Sequence, residues 1–374
     1  MHMVNRERMI QEFCELVQID SAPRAERGIA DALKQKMATL GMEVVEDNAG
    51  AAIGGNAGNV IGRYAGTLSG VPTVVFAAHM DRVTPGLGIK PVVKDDAIFS
   101  DGTTILAADD LAGVVQMLEG VRIMQEQKIP HGDIELLFTI SEEGGLFGAK
   151  NLDRNQLKAE YGYFLDGSGD VGTIIPSAPA QSKIDVRMIG RPAHAGIEPE
   201  KGISAIQVVA DAVTKMKLGR IDEETTCNIG VISGGLATNI VPEVVELRCE
   251  ARSRNAAKLQ AQVQHMVSEF EAAAKLWGAK AEITVTESYP PMNLRAEDKV
   301  VQIAVQAARD LGLTPTLVPT GGGSDANILN GRGLPAVVLG IGMEKVHSKE
   351  EFITIKQLLA GAEMVVTIAQ AAAK

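Results

Sequence analysis

Two adjacent carboxylates, Glu142 and Glu143, follow the apolar run 134–140 and precede Gly144-Gly145. A buried strand that delivers two charges to its end is disfavoured unless something positive waits there. A metal ion would serve, and if one Glu binds it the other is free to move protons, which is hydrolase chemistry. Four further sites repeat the theme of a ligand-type residue beside an apolar stretch. His79-Met80-Asp81 ends the run 73–78. Residues i and i+2 of an extended segment share a face, so the Asp81 carboxylate can take the second ring nitrogen of His79 and fix its tautomer. Asp109 and Asp110 stand at the start of an apolar helical stretch, Asp166 follows the run 161–165, and His347 follows 335–340. Singly, each has a plain structural explanation: a helix cap for one aspartate, a turn for Asp166, a solvated loop for His347 and for the Glu pair. Their order carries the weight. Four strand ends and one helix start supply His, Asp, Glu, Asp and His. Such nitrogen and oxygen donors suit zinc, manganese or cobalt, and five of them hold two ions if one carboxylate bridges the pair.

The elements that must position these residues are legible as periodicity. Residues 4–19 and 25–40 read as amphipathic helices, the second stopping before Gly41. Short apolar runs at 43–46, 59–63, 73–78, 134–140 and 161–165 then alternate with a helix near 110–127, which predicts an α/β layer with a largely parallel sheet. Active groups in such sheets collect at the carboxyl ends of the strands. The pattern changes near residue 178. Strand 181–190, helix 201–217, strands 226–233 and 242–253, helix 256–277 and strand 280–287 give a β-α-β-β-α-β order, the ferredoxin-like signature. Tyr289-Pro290-Pro291 marks the exit, and helix 297–311, strands 316–318 and 335–340 and helix 356–373 resume the α/β style. A second domain inserted into the first accounts for this: 1–179 and 291–374 form the catalytic domain, and 180–290 the insert.

Composition narrows the class. A chain of 374 residues is too long for one ordinary core. The net charge of -11 argues against nucleic acid, whose phosphates need clustered Lys and Arg. No run reaches the ~18 apolar residues of a membrane span. The start, Met1 to Arg8, is charged and has no apolar core, so a secretory signal is not expected. Cys14, Cys227 and Cys249 are odd in number and scattered, which predicts neither a disulfide framework nor a cysteine metal site, and the cytoplasm is the simplest compartment.

Taken together, His79-Met80-Asp81, Gly102 to Gly113, Ser141 to Gly145, Leu165-Asp166-Gly167, Ala193-His194-Ala195-Gly196, Gly321-Gly322-Gly323-Ser324-Asp325 and His347-Ser348 resemble the M20 family of dinuclear zinc metallopeptidases, and within it the peptidase T-like branch. The resemblance spans nearly the whole chain. It implies a three-layer α/β/α catalytic domain of the zinc-exopeptidase type, carrying an inserted ferredoxin-like α+β lid or dimerisation domain. It further implies two divalent ions, zinc first with manganese or cobalt as substitutes, bridged by Asp109. His79 and Asp166 would complete one site, Glu143 and His347 the other. Glu142 would be the general base and Asp81 the partner of His79. His194 would reach the active site of a partner subunit in a homodimer. Asn239, Arg252, Gly323 and Ser324 would hold the substrate. The family's cis peptide falls at Asp109-Asp110. One departure is Leu111, where the family often has Lys.

The function these expectations describe is metal-dependent hydrolysis of the peptide bond in short peptides, as in a tripeptide aminopeptidase. An N-acyl-amino-acid amidohydrolase or a carboxypeptidase would use the same core on another amide. A metal-binding protein without catalysis should lack the base or a ligand, and all six core positions are present. Gly321-Gly322-Gly323-Ser324 could suggest phosphate binding, but the Gly-Lys-Ser/Thr ending of a P-loop is absent.

Overall fold

The computed structural model describes residues 4–374; Met1, His2 and Met3, part of the charged start read above, lie outside the described residues. The chain divides into two units. One takes the chain up to Ser177 together with Asn293–Pro319 and Ser324–Lys374; the other takes Ala178–Met292 and Thr320–Gly323.

In the first unit, α1 (Arg6–Val17) and α2 (Arg27–Thr39) lead into β1 (Glu43–Glu46), β2 (Val60–Tyr64) and β3 (Val74–His79). A hairpin of β4 (Pro91–Lys94) and β5 (Ala97–Ser100) precedes α3 (Ala108–Glu126), β6 (Ile134–Thr139), α4 (Phe147–Asn151), β7 (Tyr161–Gly167) and β8 (Thr173–Ala178). The second unit contributes β9 (Ala180–Ile189), α5 (Ala205–Lys215), β10 (Gly219–Arg220), β11 (Thr225–Gly234), β12 (Val244–Ser253), α6 (Ala256–Trp277) and β13 (Lys280–Tyr289). Then follow β14 (Met292–Asn293), α7 (Lys299–Asp310), β15 (Thr316–Pro319), α8 (Asp325–Gly331), β16 (Ala336–Gly340), β17 (Met343–Glu344), β18 (Phe352–Thr354) and α9 (Ile355–Ala372).

The main sheet has nine strands in the order β1-β2-β6-β3-β7-β16-β8-β14, with β15 on β8. Strands β3 and β6 are buried at every position, as strands covered on both faces must be. Val74, Phe76, Ala78, Leu136 and Phe138 face a core shared with α1, α2, α3, α7 and α9. On the remaining side α8 packs on β7 and β16, and α4 packs on α8. This is the expected three-layer α/β/α arrangement.

The sheet is parallel at its centre and again where β15 joins β8. Strands β6, β3, β7 and β16 run together, whereas β1 and β2, β2 and β6, and β16 and β8 are antiparallel. The expectation of a largely parallel sheet is therefore corrected to a mixed one. The parallel centre is what matters for chemistry, because it brings the carboxyl ends of β3, β6 and β7 to one edge. A second sheet, β17-β18-β5-β4, is absent from the sequence reading. Its hairpin turns on Asp95 and Asp96, both left-handed at φ 52° and 57°. Two aspartates fill a turn usually signalled by Asn-Gly or Asp-Gly.

In the second unit the sheet order is β10-β11-β12-β9-β13. The four long strands take the ferredoxin-like order, antiparallel throughout. Strand β9 alternates buried and exposed residues from Ser182 to Met188, the mark of a sheet with one covered face. That face packs Ile184, Val186, Met188, Val245 and Leu247 against Val208, Ala212, Met266 and Phe270 of α5 and α6. Helix α5 starts later than the sequence suggests, at Ala205, because Pro199–Lys201 forms a 3-10 turn and Ser204 caps the helix. Among the described residues no helix is long and apolar enough to cross a membrane.

Candidate functional site

At the carboxyl edge of the central strands, six side chains converge. Asp109 stands between the two imidazoles: its Oδ1 lies 3.0 Å from His79 Nε2, and its Oδ2 lies 3.1 Å from His347 Nε2. Asp166 Oδ1 is 3.9 Å from His79 Nε2. Glu143 Oε1 is 2.8 Å from His347 Nε2. Glu142 joins His79 and Glu143 in a set whose ligand-type atoms lie within 4.8 Å of one another, as do His79-Asp109-Asp166 and Asp109-Glu143-His347. The two trios that share Asp109 are the ones set out from the sequence.

Buried acceptors hold the backbone of His79, of Asp109 and of the strand end that leads to the Glu pair. The peptide between Asp109 and Asp110 is cis, and neither aspartate caps α3. Instead Asp110 Oδ2 accepts the backbone N–H of His79 at 3.1 Å. Gly113 lets α3 approach β7, since a Cβ there would lie 2.3 Å from the Leu165 carbonyl oxygen. Ser141, left-handed at φ 49°, donates its N–H and its hydroxyl to Glu26 Oε1 at 2.9 and 2.7 Å. Asn59 Oδ1 accepts from the Ile140 N–H at 3.1 Å. Glu351 takes the N–H groups of Leu106, Ala107 and Asp109. Hydrogen bonds of this kind are worth about 0.5–1.5 kcal/mol each, so several together hold these loops firmly.

Asp81 differs from expectation in how it acts. The nearest acceptor to His79 Nδ1 is the Asp81 backbone carbonyl at 3.0 Å, with the carboxylate at 3.5 Å. That carboxylate instead accepts the N–H groups of Glu142 and Glu143 at 2.8 and 3.2 Å. Strand β3 ends at His79, so the i, i+2 rule for extended chain no longer aims Asp81 at the ring. The residue ties the end of β3 to the Glu pair rather than serving the imidazole alone.

The electrostatics are those of too many carboxylates in too little water. Burial pushes Asp166 and Glu142 well above the carboxylate range, and their acidic neighbours add to it. Asp325, at the start of α8, is pushed up to about 6 by burial against an opposing hydrogen bond from Thr139. Burial opposes a charge on His79, but its bonds to Asp109 and Asp81 prevail and hold its pKa well above the ordinary value. Hydrogen bonds to Asp109 and Glu143 raise His347 to about 10. Asp109 is likewise opposed by burial, yet the two imidazoles keep it below the usual carboxylate range. The two imidazoles thus offset part of the acidic cluster, a role that divalent cations would fill more fully. The donors are nitrogen and oxygen only, within mutual reach of two ions, and so fit zinc, manganese or cobalt.

The other sequence candidates fall elsewhere. His194, Asn239, Arg252 and Gly323 belong to the second unit. His194 is exposed and accepts the Gly196 N–H at Nδ1, 3.1 Å. Asn239 is exposed, and its carbonyl accepts the Ala195 N–H. Arg252 pairs with Glu250 at 3.0 Å, and Gly323 lies against the Tyr289 ring. Ser324 begins α8 in the first unit, its N–H donating to Asn327 Oδ1. Leu111 is buried in the main core. Sequence reasoning missed Glu26, Asn59 and Glu351. Glu350-Glu351 is one of three Glu pairs in the chain, and since Glu223-Glu224 also stands directly before a strand, the pairing alone does not single out Glu351.

The profile of Peptidase family M20/M25/M40 matches residues 75–371. The chain belongs to that family and is a hydrolase of peptide bonds. Over 372 residues, covering 100% of both chains, it is 48% identical to the uncharacterized protein YqjE of Bacillus subtilis (strain 168). Among solved structures it is similar to an aminopeptidase PepT from Bacillus cereus, with 48% identity, coverage of 99% and 100% of the two chains, and a TM-score of 0.93. It is also similar to a tripeptidase from Staphylococcus aureus, with 45% identity, 99% coverage of each chain and a TM-score of 0.96.

The double attachment of Asp81 yields a prediction. Asp81→Asn keeps the shape but gives up one acceptor for the Glu pair, so divalent-ion affinity should fall about 10–100-fold. Isothermal titration with zinc reads this directly, and wild-type affinity in the variant would contradict it.

Proposed function

We propose that the chain is a dinuclear metal-dependent aminopeptidase that removes the first residue of short peptides, tripeptides among them, with zinc as its resident metal. The observation that carries this reading is the Asp109 carboxylate, with one oxygen toward His79 and the other toward His347. Asp109 would bridge two ions, His79 and Asp166 holding one, Glu143 and His347 the other. Bound there, the ions would lower the pKa of a water toward neutrality and polarise the scissile carbonyl.

Glu142 is the proton carrier in this scheme. Its carboxylate takes part in no side-chain hydrogen bond among the described residues, which leaves it free to face the attacking water. Water oxygen bonds to the carbonyl carbon as Glu142 accepts the proton. The carbon–nitrogen bond then breaks, and Glu142 passes that proton to the departing amine. Such transfer contributes roughly 10²–10⁴ in rate. Asp81, by holding the Glu142 and Glu143 amides, keeps the base and its ligand neighbour in fixed register.

The substrate class comes by likeness to the Bacillus cereus aminopeptidase and the Staphylococcus aureus tripeptidase. Arg252, Asn239, Gly323 and Ser324 are assigned to substrate binding in the same reading. So is a homodimer formed through the second unit, in which the exposed His194 serves the partner's site. Three unpaired cysteines, Cys14, Cys227 and Cys249, suit a reducing cytoplasm.

A panel of free tripeptides, amino-blocked tripeptides and N-acyl amino acids, with and without a chelator, tests the activity. Chelator-sensitive cleavage that requires a free amino terminus is expected. Preference for the N-acyl amino acids would replace the reading with an amidohydrolase. Glu142→Gln should still bind two ions yet lose roughly 10²–10⁴ in kcat; turnover near wild type would remove Glu142 from its role. Mixing His194→Ala with Glu142→Gln should restore activity if sites are shared between subunits, and no recovery would count against the dimer.

A further inference from the structure

Glu351 is 1% exposed and spends its whole carboxylate on backbone. Its Oε2 accepts the N–H groups of Leu106 and Ala107 at 2.8 and 2.9 Å, and its Oε1 accepts that of Asp109 at 3.0 Å. Ala107 is left-handed at φ 61°. A left-handed residue turns successive amides toward one point, the nest that normally receives an anion. Here the anion is part of the chain itself.

The other end of Glu351 is tied to His347, four residues earlier. The Glu351 N–H donates to the Ser348 carbonyl at 3.2 Å, and the Ser348 hydroxyl closes back on the Lys345 carbonyl at 2.7 Å. Immediately after Glu351, β18 pairs with β5. His347 is half-exposed, and its ring is bonded to Asp109 and Glu143. The tight turn carrying His347 is therefore fixed, through one buried carboxylate, to the segment that carries Asp109.

We propose that Glu351 is a positioning residue that sets the distance between Asp109 and His347 and so determines affinity for the ion these two share. This rests on the assignment of both as ligands under the proposed function. It adds a residue that touches neither ion nor substrate but fixes the separation of two ligands far apart in the chain.

A role in stability alone would look similar, so the test needs a matched control. Glu135 supplies it. It is 2% exposed, and it too accepts backbone amides, those of Lys158 and Ala159 at 3.0–3.1 Å. It sits near the start of β6, at the end of that strand away from Glu142 and Glu143. Glu351→Gln and Glu135→Gln make the same chemical change at a buried carboxylate that accepts backbone amides. Glu135 also has Arg63 Nε 3.5 Å away, so any extra loss of stability in Glu135→Gln is expected and the metal affinities carry the comparison.

Zinc titrations of the full-length wild type, Glu351→Gln, Glu135→Gln and His347→Ala would be followed by calorimetry, with the melting temperature of each metal-free protein. Both Glu→Gln variants should melt lower. Only Glu351→Gln should weaken one ion about 10–100-fold, the ion that His347→Ala loses, and excess zinc should restore its kcat. Unchanged affinity for both ions in Glu351→Gln, or equal weakening in Glu135→Gln, would overturn the proposal. If Glu351→Gln fails to fold, Glu351→Asp keeps the charge but shortens the reach, and the same selective weakening is expected of it. Failure of the two-ion reading is seen in the wild type, as a single ion bound; failure of the Glu351 proposal is seen only in the variants.

Discussion

A single carboxylate shared between two imidazoles organises the first unit. Asp109 must present one oxygen to His79, which ends a central strand, and the other to His347, which lies near the opposite end of the sequence. Neither demand can be met by an ordinary helix start. The chain reaches Asp109 through a left-handed Ala107 and leaves it through a cis peptide, while Asp110 turns back to bond the His79 amide. Gly113 then allows α3 to close on β7 beside Asp166. The local backbone around residues 106–113 is shaped by where one side chain has to point.

That geometry sets charges against one another, and the fold answers with buried backbone donors. Asp81, Asp110, Glu26 and Glu351 each accept amides from a segment that carries the acidic cluster. A buried charge paired with several amides is tolerated where an unpaired one would not be. The same contacts rigidify the loops. A site whose supports are themselves buried carboxyl groups costs stability to maintain, the more so because Asp110 Oδ1 and Glu26 Oε2 find no hydrogen-bond partner. The apolar layers around β3 and β6 supply the stability that offsets it.

Much of this was legible in the sequence because the ligand-type residues stand at strand ends, where apolar runs give way to His, Asp or Glu. The β-α-β-β-α-β insert was readable for a related reason: alternation persists over seven residues in β9 and ten in β12. What stayed hidden has physical causes. The β4–β5 hairpin turns on Asp95-Asp96, a pair without the usual turn signature. Helix α8 follows a glycine run and is only seven residues long. Glu26, Asn59 and Glu351 act through backbone amides far away in sequence, and no local spacing announces such a bond. Asp81 was found as the partner of His79, but its second attachment, to the Glu142 and Glu143 amides, joins segments far apart in sequence and could not be read.

The central claim is that Asp109 is placed to bridge two cations. Anomalous diffraction from crystals grown with zinc tests it most directly. The account predicts two peaks per chain, one on either side of the Asp109 carboxylate, the first beside His79 and Asp166 and the second beside Glu143 and His347. A single peak, or two peaks of which Asp109 touches only one, would contradict it.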